Sequence, residues 1–108
     1  MEQKINLSDE LVIYFKPVDN SFYDGIKCLA NETFAEVEEK LYKKHNDFRN
    51  TNNMFTANAL PVLRFKTIGE NNIHDGDVIQ LYRIEWIWHY INLIINLFNL
   101  FNYLIYIL

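Results

Sequence analysis

The sequence predicts an α+β domain in which several strands surround one helix, followed by a separate hydrophobic C-terminal helix. Two observations predict the domain. Residues 33–44 carry a complete helix signal, and strand-like runs of β-branched and aromatic residues lie on both sides of them. A third observation separates the tail, because every Asp, Glu, Lys and Arg lies within residues 1–85. We therefore assign residues 1–10 to a polar lead-in, 11–85 to one domain and 86–108 to the tail.

Composition and charge narrow the function classes. A net charge of −4 over 108 residues argues against a nucleic-acid-binding protein, which would carry a basic patch. The single cysteine, Cys28, excludes an internal disulfide and fits a reducing compartment. The first residues contain no apolar run, so no signal peptide is predicted and we expect the domain to face the cytosol.

The predicted helix is defined by its cap and by one apolar stripe. Thr33 and Glu36 are spaced as a capping box, in which each side chain bonds the other residue's backbone N–H. Phe34, Val37 and Leu41 recur at helical spacing and should pack on a sheet. The opposite face should be solvated, and it includes Glu38, Glu39 and Lys43.

Two strands are predicted before the helix, and together they form a hairpin. Residues 11–16 alternate so that Leu11, Ile13 and Phe15 face inward. Residues 22–29 form the second strand, in which Ile26 and Cys28 should face the core. Gly25 interrupts that strand and predicts a bulge or another irregularity.

The chain after the helix predicts three short extended segments and two turns, the first of which is at residues 57–59. Residues 54–56 form a short strand and residues 60–66 an extended piece, which Pro61 marks as a sheet edge or the start of a strand. Ile68 and Ile73 should anchor an irregular stretch in the core. Residues 74–77 form a tight turn around a glycine, and residues 78–83 form the last strand, with Ile79 and Leu81 inward.

This β-β-α-β-β-β order resembles the ubiquitin-like β-grasp over residues 11–83, in which a mixed sheet packs on one helix. Thr33-Phe34-x-x-Val37-x-x-x-Leu41 looks like the family's helix start and buried stripe, and Asn58-Ala59 occupies the place of its turn after the central strand. Residues 67–73, followed by 75–81, look like its closing segment. Conjugated modifiers and sulfur carriers of this family end in Gly-Gly, whereas Arg83 runs into Ile84 here. The chain as written is therefore not expected to be conjugated.

The resemblance also implies a protein-binding surface on the exposed side of the sheet. The matching positions are Phe55 on the central strand, Gln80 and Tyr82 on the last strand, and Val18 in the first turn. Aromatic side chains are enriched in binding hot spots, so Phe55 and Tyr82 form a candidate anchor pair. The competing interpretation is that Phe55 belongs to the core and Tyr82 is an ordinary surface ring.

The residues that could carry chemistry have simpler structural explanations. His74, Asp75 and Asp77 match no metal-binding spacing and are explained by a turn. Cys28 could act with His45 or His74, but its alternation with Ile26 predicts a buried, inert thiol. We therefore expect no enzymatic activity, no metal or other cofactor, and no small-molecule substrate.

The uncharged tail supports several interpretations. As a helix, its 23 residues would span about 34 Å, enough for a bilayer core. Aromatic residues at its start suit the headgroup region, and asparagines gather on one side of the helix: Asn92, Asn96, Asn99 and Asn102. The tail could span a membrane, lie in its interface, or pack as a soluble helix against the domain or another copy.

A further interpretation concerns the gene rather than the protein. Residues 90–108 use five amino acids, all encodable by codons made of A and T alone, as in a translated non-coding stretch. Sequencing the transcript across the codon for Glu85 decides this point. Our leading hypothesis is a ubiquitin-like protein-interaction module with a C-terminal membrane anchor. The alternatives are a small tail-anchored membrane protein whose helix is the functional part, and a ubiquitin-like protein with an artefactual tail.

Overall fold

The computed structural model describes residues 10–108, so the predicted polar lead-in lies outside the described residues except for Glu10, which begins the first strand. Five strands form one mixed sheet in the order β2-β1-β5-β3-β4, in which β1 and β5 are parallel and the other neighbours antiparallel. The elements in chain order are β1 (Glu10–Pro17), β2 (Asp24–Leu29), α1 (Phe34–Lys44), a 3₁₀ turn (Asn46–Phe48), β3 (Asn53–Ala57), β4 (Leu60–Pro61), β5 (Val78–Arg83) and α2 (Ile84–Ile107).

Helix α1 begins where its sequence signal predicts. The Thr33 side chain accepts a hydrogen bond from the backbone N–H of Glu36, and the Glu36 carboxylate accepts one from the N–H of Thr33. Phe34, Val37 and Leu41 are fully buried. The capping box and the apolar stripe are therefore both confirmed, and α1 lies across one face of the sheet.

The extended piece predicted over residues 60–66 is wrong beyond Pro61. Strand β4 has two residues, and the chain then leaves the sheet and passes beside the first turn of α1. The first backbone N–H groups of a helix lack partners within it. Here Phe34 N–H donates to the Lys66 carbonyl at 2.9 Å and Ala35 N–H to the Arg64 carbonyl at 3.0 Å. These two hydrogen bonds cap the start of α1 in addition to the capping box. They hold residues 64–66 away from the sheet, and Phe65 is exposed.

The core lies between α1 and the inner face of the sheet. Every residue expected to face inward from the first hairpin and the last strand is buried or packs against the buried cluster, as are the two isoleucines of the irregular stretch. These are Leu11, Ile13, Phe15, Ile26, Cys28, Ile68, Ile73, Ile79 and Leu81. The pattern of alternation therefore placed the core correctly in these segments.

Gly25 does not form the predicted bulge. The β1–β2 pairing is regular through Tyr14 opposite Gly25, without an inserted residue. A Cβ atom on Gly25 would approach both the Tyr14 ring and the Val12 side chain to 3.1 Å. Tyr14 also stacks on Tyr23, with ring centroids 5.4 Å apart. The Tyr14 ring and the Val12 side chain therefore leave little room for a side chain at Gly25. This close packing, and not an irregular strand, accounts for the glycine.

Two turns use left-handed backbone conformations. Asn58 and Ala59 both have positive φ, 52° and 64°, and form the two-residue loop of the β3–β4 hairpin. Such loops need positive φ at both positions because that twist matches the flanking strands. Gly76, at φ 83°, occupies the predicted tight turn before β5. Both turns are thus confirmed, with Ala59 adopting a conformation that favours glycine.

A buried polar network joins α1 to β3, and it contradicts the expectation that Glu38 is solvated. Glu38 is 8% exposed and accepts hydrogen bonds from the Tyr42 hydroxyl and from Nε of Arg64, the latter at 2.6 Å. Nδ2 of the buried Asn53 donates to the Tyr42 hydroxyl at 2.8 Å. Arg64 donates to the Asn53 carbonyl. The network therefore satisfies polar groups that would otherwise be buried without partners.

Candidate interaction surface and tail helix

The outer face of the sheet presents its side chains in aligned rows, because opposite residues of neighbouring strands share a face. One row contains Lys16, Gln80 and Thr56, from β1, β5 and β3 in turn. In the next row, Tyr82 lies between Met54 and Val18. Met54 pairs with Tyr82 across β3 and β5, and the Val18 N–H donates to the Leu81 carbonyl at 3.1 Å on the other side of β5. Three of the four predicted surface residues, Val18, Gln80 and Tyr82, therefore lie in adjacent rows.

Phe55 does not belong to this surface, and its assignment as a binding residue is corrected. It is 2% exposed and pairs with Leu81, which is fully buried. Its ring makes edge contacts with Phe15 and Phe34, at centroid distances of 5.9 and 5.0 Å. Because side chains alternate along a strand, its neighbour Met54 occupies the outer face.

Met54 and Thr56 are the surface residues that the sequence analysis missed. Met54 is 39% exposed and Thr56 half-buried. Their alternation with Phe55 and Ala57 could have identified the face, but the adjacent apolar pair Met54-Phe55 obscured it. The candidate interaction surface, as used below, is Val18, Met54, Thr56, Gln80 and Tyr82.

Tyr82 and Gln80 form the centre of this surface. The Tyr82 hydroxyl donates to Oε1 of Gln80 at 2.5 Å, which fixes the ring along the strand. Two shallow depressions, of about 230 and 650 Å³, flank this pair. The smaller depression borders Val18 and Lys16, and the larger one borders Thr56. The surface thus combines exposed and partly exposed apolar side chains with amide and hydroxyl groups.

The titratable residues considered for chemistry are engaged in structural contacts. Burial, together with the nearby Glu32 carboxylate, raises the pKa of the Cys28 thiol to about 11, so the thiol is protonated at neutral pH. His45 stacks on Phe22 at 3.7 Å and bonds Asp24 at 3.0 Å. These contacts hold the end of α1 to the first hairpin.

The residues considered for a metal site instead stabilise the turn before β5. Asp75 Oδ1 accepts a hydrogen bond from the Val12 N–H, and Asp77 Oδ2 accepts one from the His74 N–H, both at 2.8 Å. Over residues 10–108, no cluster of three or more His, Cys, Asp or Glu side chains has a metal-binding arrangement. The turn therefore accounts for the spacing of these residues.

Helix α2 follows β5 without a linker. Arg83 lies over the rings of Phe48 and Trp86, at 4.6 and 5.3 Å, and the Ile84 N–H donates to the Asn52 carbonyl at 2.9 Å. The helix starts two residues earlier than the predicted tail, and its first turn contacts the domain. Beyond that turn, residues 88–108 are exposed.

By length and composition, α2 could cross a membrane. Its 24 residues include an 18-residue window with a mean hydropathy of 1.4, none of it buried. A helix of this length spans about 36 Å, compared with about 30 Å for the hydrocarbon core of a bilayer. It is the one helix with these properties in the described part of the chain.

Comparison with known proteins bears on the fold. No family model matches the chain, and no curated protein matches its sequence. Among solved structures, a de novo designed protein based on ubiquitin matches 68% of this chain and 88% of its own length. The TM-score is 0.60 and the sequence identity 19%, so this likeness concerns the fold. Together with the observed strand order and single packed helix, it shows that the domain has the ubiquitin-like β-grasp fold.

Proposed function

We propose that the protein is a non-enzymatic ubiquitin-like interaction module, held at a membrane by α2, whose candidate interaction surface docks onto a protein partner. The observation that carries the docking role is the alignment of Val18, Met54 and Tyr82 in one row across the outer sheet face. Exposed apolar side chains that are contiguous and bordered by polar groups are typical of protein interfaces. The single free thiol, Cys28, is consistent with a domain in a reducing compartment such as the cytosol.

The arrangement favours a protein partner over a small molecule or nucleic acid. The depressions beside Tyr82 are open and shallow, whereas small-molecule sites are concave and enclose most of their ligand. Lys16 is the single charged residue in the two rows. The surface therefore lacks the group of basic side chains that binds the phosphates of a nucleic acid. The buried thiol and the turn-bound carboxylates support a role without catalysis.

Site-specific photo-cross-linking tests the docking role. A photoreactive amino acid at Gln80 of the full chain should give discrete protein adducts in cells. The same amino acid at Lys43, on the exposed side of α1, should give few. Met54→Ala combined with Tyr82→Ala should remove the Gln80 adducts, because truncating interface anchors commonly costs 1–2 kcal/mol or more each, about tenfold in affinity.

Equal adducts from Gln80 and Lys43 would exclude docking through this face. The Tyr23→Ala variant is a suitable control for the double variant, because Tyr23 is an exposed aromatic residue near the other edge of the same sheet. Loss of adducts in Tyr23→Ala as well would point to a general change in the domain rather than to this surface.

Carbonate extraction tests the membrane role. The full chain should stay in the membrane pellet at high pH. Ile94→Lys combined with Phe98→Lys should release it, since a charged residue near a helix centre costs about 2.5–3.5 kcal/mol of insertion energy. The matched variants Ile94→Leu and Phe98→Leu should remain in the pellet. Release of the intact wild-type chain would disprove spanning.

A further inference from the structure

The four asparagines of α2 lie on one side of the helix, and three of them have the spacing of a heptad seam. At about 100° per residue they fall within a stripe about 120° wide. Asn92 and Asn99 are one heptad apart, and Asn102 follows Asn99 at the spacing of the other seam position. Ile95 also lies on this seam, and Asn96 borders it. The asparagine stripe, as named below, consists of Asn92, Asn96, Asn99 and Asn102.

The domain does not cover the asparagine stripe. All four residues are exposed, and the contacts between α2 and the domain involve the first turn, where Trp86 packs against the core. In a bilayer these amides would lie among acyl chains, where a polar group without a hydrogen-bond partner is costly. A membrane-spanning α2 therefore needs a partner that presents amides or similar groups along a matching line.

We propose that this partner is α2 of a second copy of the chain, so that the asparagine stripe is the seam of a parallel homodimer. This inference rests on the proposed membrane anchor. Copies inserted by the same route share one orientation, which places Asn92 opposite Asn92 and Asn99 opposite Asn99 at equal depth. An amide carries both donors and an acceptor, so each such pair is self-complementary.

The composition of the helix favours a second copy over a different protein. The tail contains no Asp, Glu, Lys or Arg that would require an oppositely charged partner helix. Asparagine at one seam position of a parallel coiled coil specifies register and the two-stranded state, and buried amides bond across helices within membranes. Glu85 shares the same line but lies beside the domain, outside the hydrocarbon region.

Cysteine cross-linking of the full chain inserted into microsomes tests the seam. Ile95 and Ile94 are adjacent and identical, but Ile95 lies on the seam and Ile94 on the opposite side of the helix. Ile95→Cys should form a disulfide-linked dimer on oxidation, and Ile94→Cys should not. Both variants keep all four asparagines, and Cys28 is buried in the domain core. Adding Asn92→Leu and Asn99→Leu to Ile95→Cys should abolish the dimer.

The possible outcomes separate this inference from the membrane anchor. Carbonate extraction is applied to the same microsomes. Protein that stays in the pellet but yields no Ile95→Cys dimer overturns the homodimer and leaves the anchor intact. Release of the protein by carbonate contradicts the anchor itself. A cross-link to a different protein in place of the dimer would overturn the homodimer. Equal dimer at both cysteine positions, or survival of the dimer without Asn92 and Asn99, would overturn the asparagine stripe as its seam.

Discussion

Phe55→Ala is expected to lower the free energy of unfolding of the domain by about 3–5 kcal/mol, the range for truncating a buried phenylalanine. Phe55 lies between the rings of Phe15 and Phe34 and is 2% exposed. Its removal would leave a cavity between α1 and the sheet that neighbouring rings can fill only in part. Since the free energy of unfolding of native domains is about 5–15 kcal/mol, this substitution should remove about a fifth or more of the total. Urea denaturation of the full chain in mild detergent, followed by near-ultraviolet circular dichroism, measures the change.

Two control variants separate the core role of Phe55 from a surface role. Met54→Ala changes the residue that precedes Phe55 and lies on the opposite face of β3. It should lower the free energy of unfolding by about 1 kcal/mol or less. Phe65→Ala removes the same atoms from a side chain that is 76% exposed and should change stability by about 0.5 kcal/mol or less. If Phe55→Ala proved as stable as Phe65→Ala, the placement of Phe55 in the core would be wrong.

The elements that could be predicted from sequence are those specified by short-range signals. The capping box of Thr33 and Glu36 fixed the start of α1, and the alternation from Val78 to Arg83 gave the bounds of β5 as observed. Both signals depend only on residues within one or two turns of a helix or within one strand. The local sequence is therefore enough to recognise them. The left-handed turn at Gly76 is of the same kind.

The errors concern contacts between segments that are distant in sequence. The face of Phe55 is fixed by its pairing with the buried Leu81, and the adjacent apolar pair Met54-Phe55 obscures the alternation within β3. The course of the chain after Pro61 depends on the free N–H groups of Phe34 and Ala35, and these draw the backbone away from the sheet. The predicted outer-face positions therefore agree with the structure on β5 and in the first turn, where alternation is clear, and are shifted by one residue on β3.

Glu38 shows the same limit for a charged side chain. The position of Glu38 beside Glu39 on a helix predicts a solvated carboxylate. The apolar stripe does not indicate that Tyr42 and Arg64 enclose the Glu38 side chain. Arg64 comes from the segment that follows β4, the part of the chain least well predicted. The resulting network suggests a second large effect on stability.

Arg64→Ala is expected to lower the free energy of unfolding by about 2 kcal/mol, because it leaves the Glu38 carboxylate buried without its cationic partner. The exposed fraction of the side chain alone is 49% for Arg64 and 11% for Glu38, so the loss should fall below the 3–5 kcal/mol typical of a fully buried pair. Arg64→Ala also removes the hydrogen bond to the Asn53 carbonyl, which faces the same network. Urea denaturation under the conditions used for Phe55→Ala measures the loss.

A double-mutant cycle with Glu38→Gln isolates the ion pair from the other contacts of Arg64. Glutamine keeps the shape of Glu38 without the charge, so Arg64→Ala should cost less in that background, by about 1 kcal/mol or more. Arg49→Ala is the matched control, since Arg49 pairs with Glu39 on the same helix at 2.7 Å but both side chains are more than a third exposed. It should cost about 0.2–1 kcal/mol, as exposed pairs do. Equal losses for Arg64→Ala and Arg49→Ala, with no coupling to Glu38→Gln, would show that the buried carboxylate does not depend on Arg64. The Tyr42 hydroxyl and water would then have to satisfy it.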